Sequence, residues 1–452
     1  MDSYADRDYA VTALCLGVAG IVLGVALYLS GGFYNIPALQ LTTLAYVLCV
    51  LAVALRKFEK IEPIVGRLTP FVLVAGLVFQ LYRLGADAKY AWPIAVVGVA
   101  VVAALALKQS TLNVRWVTLA LVLGLVVPHF LFGLWAIRGL ANPDFDVYYC
   151  HMQSLAALLQ GINPHTLTIG YVHPDELKYP ASYVFDGRVH IGFPYPPLSL
   201  FMALPGYLIA GDYRYSGLAA TTLAGVLMVY ARPSRLSILA AAIFLSTPAM
   251  IPVLRMGWTE PYVVLLLAVT VFCACRAPRL FPWALGLLIA VKQYAIFAAL
   301  GVFLLPNARH SLKDSATIIG KALALATAST VPWMLWNVHG FLSDVVFPQF
   351  QLPFRMDALS YLVWLTYNTG RQPPAIIGFL MMAPAVGLML WRGARTVAGF
   401  AAAVSFVFLS LFLFNKAAFI NYYFFVIGAT CCATALAGRS FLRHQDPAAL
   451  KG

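Results

Sequence analysis

The stretch VTALCLGVAGIVLGVALYLSGG (11–32) contains no charged residue and no regular alternation of polar with apolar positions. It is long enough to cross a bilayer as a helix, which takes roughly 20 consecutive apolar residues. A membrane barrel strand would alternate polar with apolar side chains, so the run excludes that architecture. Similar runs follow at 39–55, 68–82, 92–107 and 116–136. After a polar stretch they resume at 198–210, 216–230, 236–252, 261–275, 281–305, 316–336, 374–391, 397–414 and 420–437. Of the 452 residues, 62% are hydrophobic and 10% charged. Soluble domains run at about half apolar and about a quarter charged. The expectation is an all-α, polytopic transmembrane protein with about 11–14 membrane segments, some re-entrant or broken.

The formal net charge of +13 does not indicate nucleic acid. In a membrane protein it reflects Lys and Arg gathered in cytoplasmic loops. The basic connections RKFEKIEPIVGR (56–67) and KQSTLNVR (108–115) are placed inside on that rule, which puts the loop 137–197 outside. The acidic start MDSYADRDYA argues mildly against this, and it also lacks the basic region of a removable signal peptide. ARPSR (231–235), CRAPR (275–279), PNARHSLKD (306–314), WRGAR (391–395) and the tail 438–452 also read as cytoplasmic. All can lie inside only if 198–210 does not fully cross and 281–305 enters and leaves on one side. The second condition predicts two half-helices meeting near Lys292. The plasma membrane, with the polar chemistry on its extracytoplasmic face, is the expected location. The chain divides at this level into N-terminal helices (1–115) without an assigned role, a core (116–437) and a cytoplasmic tail (438–452).

Seven cysteines, six of them in or beside apolar runs, form no disulfide framework. Cys273 and Cys275 have no further ligands at zinc spacing and read as small apolar residues of a helix. Histidines 151, 165, 173 and 190 fall in the large outer loop. Their spacings match no structural zinc site, so they read as loop residues.

Chemistry concentrates at a few points on the outer side. ANPDFDVYYCHMQSLAALLQGINPH (141–165) places Asp144 and Asp146 directly after a membrane helix and before an amphipathic stretch. Such carboxylates can take a proton from a hydroxyl or hold a metal, or can simply favour a helix N-terminus. FPYPPLSLF (193–201) makes a rigid lead-in to the next segment, with Tyr195 at its centre. RMGWTEPYVVLLLA (255–268) brackets a break with Arg255 and Glu260, either as an ion pair or as plain interfacial charges. Lys292 stands mid-segment in LGLLIAVKQYAIFAALG (285–301). A lysine there costs about 2.5–3.5 kcal/mol even on the lenient insertion scale. It therefore faces either a polar cavity or anion, such as a phosphate, or a partner carboxylate, Glu260 or another. FNKAAFINYYFFV (414–426) breaks two segments with Lys416, Asn421 and Tyr422. The loop 337–373, with Arg355, Tyr361, Trp364 and Tyr367, is a candidate wall for a lipid or acceptor groove.

The motifs Asp144-Phe145-Asp146-Val147-Tyr148, Gly161-Ile162-Asn163-Pro164-His165, Tyr195-Pro196-Pro197 and Lys292-Gln293-Tyr294, in this order, resemble the GT-C glycosyltransferases. Most similar is the mannosyltransferase-like glycosyltransferase family 87, over about residues 120–437. The resemblance implies inverting transfer of a hexose (mannose first) or pentose from a polyprenyl-phosphate donor to a lipid or glycan acceptor. It implies Asp144 as general base, with Asp146 the second candidate. Tyr148, Tyr195, Arg255, Glu260, Lys292, Gln293, Tyr294, Lys416, Asn421 and Tyr422 are the expected substrate contacts. No cofactor is required, and a divalent cation at the aspartates is an optional addition. The chain departs from the family at Gly257-Trp258, where Gly-Gln is frequent, and in its four leading helices. The partners implied are the bilayer, the donor and the acceptor. A transporter or flippase for a lipid-linked glycan or small molecule is the alternative, since it too places charge and broken helices at mid-membrane.

Overall fold

The computed structural model describes residues 10–55, 62–85, 88–107, 114–167, 169–170, 183–186, 188–189, 192–305 and 312–437. Residues 1–9, the tail 438–452, the stretches 56–61, 108–113 and 306–311 of the basic connections, and His173 and His190 lie outside the described residues. The helices run in order α1 (Ala10–Ser30), α2 (Ile36–Ala54), α3 (Glu62–Leu84), α4 (Ala88–Leu107), α5 (Val114–Arg138) and α6 (Asp146–Leu159). They continue with α7 (Pro197–Ala210), α8 (Arg214–Ala231), α9 (Arg235–Leu245), α10 (Met250–Met256), α11 (Glu260–Arg276), α12 (Phe281–Val291) and α13 (Leu312–Trp336). Short α14 (Val338–Phe341) and α15 (Phe347–Gln351) precede α16 (Tyr361–Thr369), α17 (Ile377–Arg392), α18 (Val397–Leu413) and α19 (Ile420–Leu436). The exception to the all-α expectation is a small antiparallel sheet in the outer loop. Its strands β1 (Ile169–Gly170), β2 (Val184–Phe185) and β3 (Arg188–Val189) lie in the order β1-β3-β2.

Among the described residues, five helices are long and apolar enough to cross a membrane, and the bent pair α9–α10 makes six. Seven further apolar helices have 10–17 residues. This is a polytopic helical membrane protein, but many of its segments are shorter than the sequence runs suggest. At 1.5 Å per residue, a 17-residue helix reaches only about 25 Å of a core about 30 Å thick. Breaks account for part of the shortening. The α9–α10 pair bends by 51° across the break 246–249.

Helices α18 and α19 are buried almost all round and form the centre of the bundle. A helix apolar on every face belongs there. The leading helices join the same core: α1 packs against α19 and α9, α2 against α18, and α3 against α9. Gln80 of α3 donates to the carbonyls of Leu245 and Thr247, both at 3.0 Å, where α9 stops. His129 of α5 meets the same Leu245 carbonyl at 3.1 Å. Broken helices survive at membrane depth when neighbours supply such partners. By contrast, α13 is almost wholly unburied within the protein, with 6% of its apolar window covered, as a lipid-facing helix would be.

Candidate functional site

The 281–305 run is interrupted at Lys292, the point where its charge position predicts two half-helices to meet. α12 ends at Val291, and Lys292 is extended at φ −152°, ψ 140°. A 3₁₀ helix then covers Gln293–Leu304. Twelve residues is long for 3₁₀ geometry, whose runs seldom exceed about four. The sequence supports it with a period of three: Ala295, Ala298, Gly301 and Leu304 are all buried. A Cβ at Gly301 would stand 2.7 Å from the Phe400 ring, so the closest approach to α18 requires glycine.

Opposite Lys292, helix α10 stops at Gly257, whose φ of 72° is left-handed. A side chain there would collide with Tyr213. The chain re-enters as α11 with Glu260 at its first position, 0% exposed. Lys292 Nζ donates to Glu260 Oε1 at 2.8 Å and to Thr259 Oγ1 at 2.7 Å. Asn421, in the first turn of α19, donates to the same Oε1 at 3.0 Å, and the Tyr294 hydroxyl at 3.3 Å. The ammonium also lies 4.5 Å from the centre of the Tyr195 ring. Of the two expectations for Lys292, pairing with Glu260 is the one realised. A buried ion pair of this kind is tolerable only when further hydrogen bonds surround it. Gln293 binds the outer loops to the break, donating to the carbonyls of Pro194 at 2.8 Å and Val345 at 3.3 Å. Tyr422 completes an aromatic wall with Tyr294, their centroids 5.8 Å apart.

Helix α6 closes one side of the cluster. His151 stacks on Tyr213 at 4.8 Å and lies 5.4 Å from Tyr195. Its Nδ1 is 2.9 Å from the Val147 carbonyl. Burial, assisted against the histidine's charge by nearby Lys292, lowers its pKa to about 3. Tyr148 stands one ring further out, stacked on Tyr213 at 5.8 Å beneath the Arg214 guanidinium. Burial first, then the carboxylates of Asp146 and Glu260, holds the Tyr195 phenol well above its usual range. Three buried atoms of this cluster, Glu260 Oε2, Asn421 Oδ1 and His151 Nε2, have no hydrogen-bond partner among the described residues.

The other expected residues stand outside the hydrogen-bond set of Lys292 and Glu260. Arg255 does not pair with Glu260. It donates to the carbonyls of Arg83 at 2.7 Å, Leu84 at 3.3 Å and Ala136 at 3.3 Å, closing the ends of α3 and α5. Lys416 donates to the carbonyls of Leu352 at 2.6 Å and Phe350 at 3.3 Å, so it fastens a loop. Asp144 is exposed, while Asp146 opens α6 and accepts from the Val147 N–H at 2.8 Å. No group of three or more His, Cys, Asp or Glu side chains suited to a metal ion occurs among the described residues. Tyr361 hydrogen-bonds Thr43 at 2.7 Å and Tyr367 stacks on Tyr34 at 5.3 Å, so loop 337–373 is tied to the leading helices. Arg355 is held by Asp357 at 2.6 Å.

Sequence reasoning missed several residues. His151 and His165 are buried rather than loop-exposed. His165 Nδ1 meets Asp344 Oδ2 at 3.1 Å, and Asp344 Oδ1 accepts from the Gly192 N–H at 3.0 Å. This clamp joins the two outer loops beside the Gln293 bridge. Arg214, 1% exposed, pairs with Asp212 at 2.6 Å and donates to the carbonyls of Leu140, Ala141 and Arg255. The available signal was the i, i+4 relation of Val147 to His151 on an amphipathic helix. For Asp344 no local signal exists. No family model, no curated protein and no solved structure matches this chain.

Proposed function

We propose that the protein is a membrane glycosyltransferase that moves a sugar from a polyprenyl-phosphate donor to a hydroxyl acceptor on the extracytoplasmic side. The observation that carries this reading is the meeting of buried Thr259, Glu260, Lys292 and Asn421 with half-buried Tyr195, Gln293, Tyr294 and Tyr422 in one cluster. These residues come from four separated segments. Carboxylate, amides and aromatic faces are the groups that hold a sugar ring. The N-terminal ends of α11 and α19 also meet here, and such ends favour the negative charge of a phosphate.

In this reading the donor's lipid tail lies among the helices and its sugar in the cluster. The N-terminal ends of α11 and α19 oppose the charge that builds on the departing phosphate, while Lys292 holds Glu260 in place. The acceptor oxygen attacks the anomeric carbon as the bond to the phosphate oxygen breaks, inverting that centre. The acceptor's proton passes to Asp144. Its exposed carboxylate accepts no hydrogen bond among the described residues, leaving its lone pairs available. Asp146, whose oxygen is engaged at the start of α6, is the second candidate.

The test is sugar transfer by the purified chain in lipid with a panel of polyprenyl-phosphate sugars. Asp144→Asn should lower turnover by about 10²–10⁴-fold while the donor still binds. If that variant turns over normally and Asp146→Asn does not, the base is Asp146. If no donor is turned over, the enzyme reading falls.

The charged break at Lys292 also suits a transporter, which is the other reading. Sugar-lipid movement across proteoliposomes, without any glycosidic bond made, would establish it.

A further inference from the structure

The buried cluster is chemically one-sided. Glu260 Oε1 receives three donors: Lys292, Asn421 and Tyr294. Glu260 Oε2 receives none, although the residue is 0% exposed. Because a carboxylate can only be approached by the NH₂ side of Asn421, the orientation of that amide is fixed. Its Oδ1 is then the atom left without a partner, on a residue 2% exposed. The same reasoning settles His151. The Val147 carbonyl can only accept, so the ring proton is on Nδ1. With the ring neutral, Nε2 is a bare acceptor, also unpartnered and 0% exposed.

Three buried acceptors with no donor is an expensive arrangement for a protein interior, where polar atoms are nearly always paired. Tyr195 links them: its ring lies 5.4 Å from His151 and 4.5 Å from the Lys292 ammonium that holds Glu260. A ligand suited to this set offers several O–H donors and an apolar face for the tyrosines. It carries no carboxylate of its own, since that would bring acceptor against acceptor and charge against Glu260.

We propose that Glu260 Oε2, Asn421 Oδ1 and His151 Nε2 form a hydroxyl-reading subsite that selects uncharged, hydroxyl-bearing sugars and rejects uronic acids. The proposal rests on the glycosyltransferase reading for the sugar being lipid-linked, but the subsite itself does not depend on turnover. Glu260 and Asn421 select; Lys292 is a positioning residue that turns Glu260 so that Oε2 stays unengaged.

The experiment is equilibrium binding to the full chain in nanodiscs. The probes are polyprenyl-phosphate hexose, the matching polyprenyl-phosphate uronic acid, polyprenyl phosphate without sugar, and the methyl hexoside. The wild type should bind the hexose donor at least about tenfold more tightly than the uronic-acid donor, the loss of one charge-compatible contact being worth that much. Glu260→Gln should weaken the hexose donor and narrow the gap, with thermal unfolding as the check on folding. Asn421→Leu should weaken both sugars' binding relative to polyprenyl phosphate alone. Equal binding of hexose and uronic-acid donors by the wild type overturns the subsite, and this result needs no variant. Binding of polyprenyl phosphate as tight as that of the hexose donor also overturns it. Binding of the methyl hexoside but no lipid donor supports the subsite and assigns it to a free saccharide. Selective donor binding without transfer sustains the subsite and removes the glycosyltransferase reading instead.

Discussion

Among the described residues, the apolar segments 236–252 and 281–305 are both broken, and the two breaks are built from different chemistry. At 246–249, between α9 and α10, every group is neutral. Gln80 and His129 serve the Leu245 carbonyl, and His129 Nε2 reaches the Thr221 hydroxyl at 3.0 Å. What remains unpartnered is one hydroxyl, Thr247, and one amide oxygen, Gln80 Oε1. That is a donor and an acceptor, a set that a single water could satisfy. At Lys292 the break carries an ion pair, and what remains unpartnered is acceptors alone. The first arrangement repairs a bend. The second leaves acceptors that only a donor, such as a ligand hydroxyl, can satisfy. Interruption of a membrane helix is therefore not by itself a functional sign; the sign is charge together with an imbalance of hydrogen-bonding groups.

The sharpest way to break this contrast is Lys292→Met. It strands Glu260 in the interior and should cost ~3–5 kcal/mol, read as thermal unfolding in nanodiscs. Adding Glu260→Gln should restore most of the stability but not donor binding. A full restoration of binding would reduce the pair to a structural role. Gly301→Ala comes next. The new methyl meets the Phe400 ring at 2.7 Å, so stability should fall by ~1–3 kcal/mol and donor binding with it. Gly387→Ala, with nothing within 4 Å, should leave both unchanged.

At the other break, Gln80→Leu removes a donor from two buried carbonyls. It should cost ~1–2 kcal/mol of stability. Donor affinity per folded molecule should remain at the wild-type value, and a selective loss of affinity would make that break functional as well. The smallest effect concerns pH. His151 titrates near 3 in the folded chain and near its ordinary value when unfolded. Below about pH 6.5 the unfolded state binds the proton and the folded state does not. Stability contributed by the neutral ring is therefore present at neutral pH and lost as pH falls toward 3. His151→Gln should flatten that part of the acid-unfolding curve.

The sequence was informative wherever a cost was visible locally. A charge amid seventeen residues of LGLLIAVKQYAIFAALG is unfavourable in any helical arrangement, so a break and a partner for Lys292 could be expected before any fold was known. Arg255 and Lys416 carried the same kind of charge, yet each ended on backbone carbonyls at helix and loop ends. The sequence could not separate these outcomes, because a guanidinium or ammonium is equally well served by a carboxylate or by exposed carbonyls. Asp344 gave no signal, since its meaning comes from Gly192 and His165, about 150 and 180 residues away.

Composition and the length of the apolar runs alone determined that this is a polytopic helical membrane protein, because apolar surface on that scale must be kept from water. Charge position alone determined that the 281–305 run is interrupted near Lys292. Only the tertiary structure decided which side chains meet there, which break is neutral, and which acceptors are left without donors. Those outcomes depend on helix ends from distant parts of the chain arriving at one point, and hydrogen-bond balance is a property of the assembled set rather than of any segment in it.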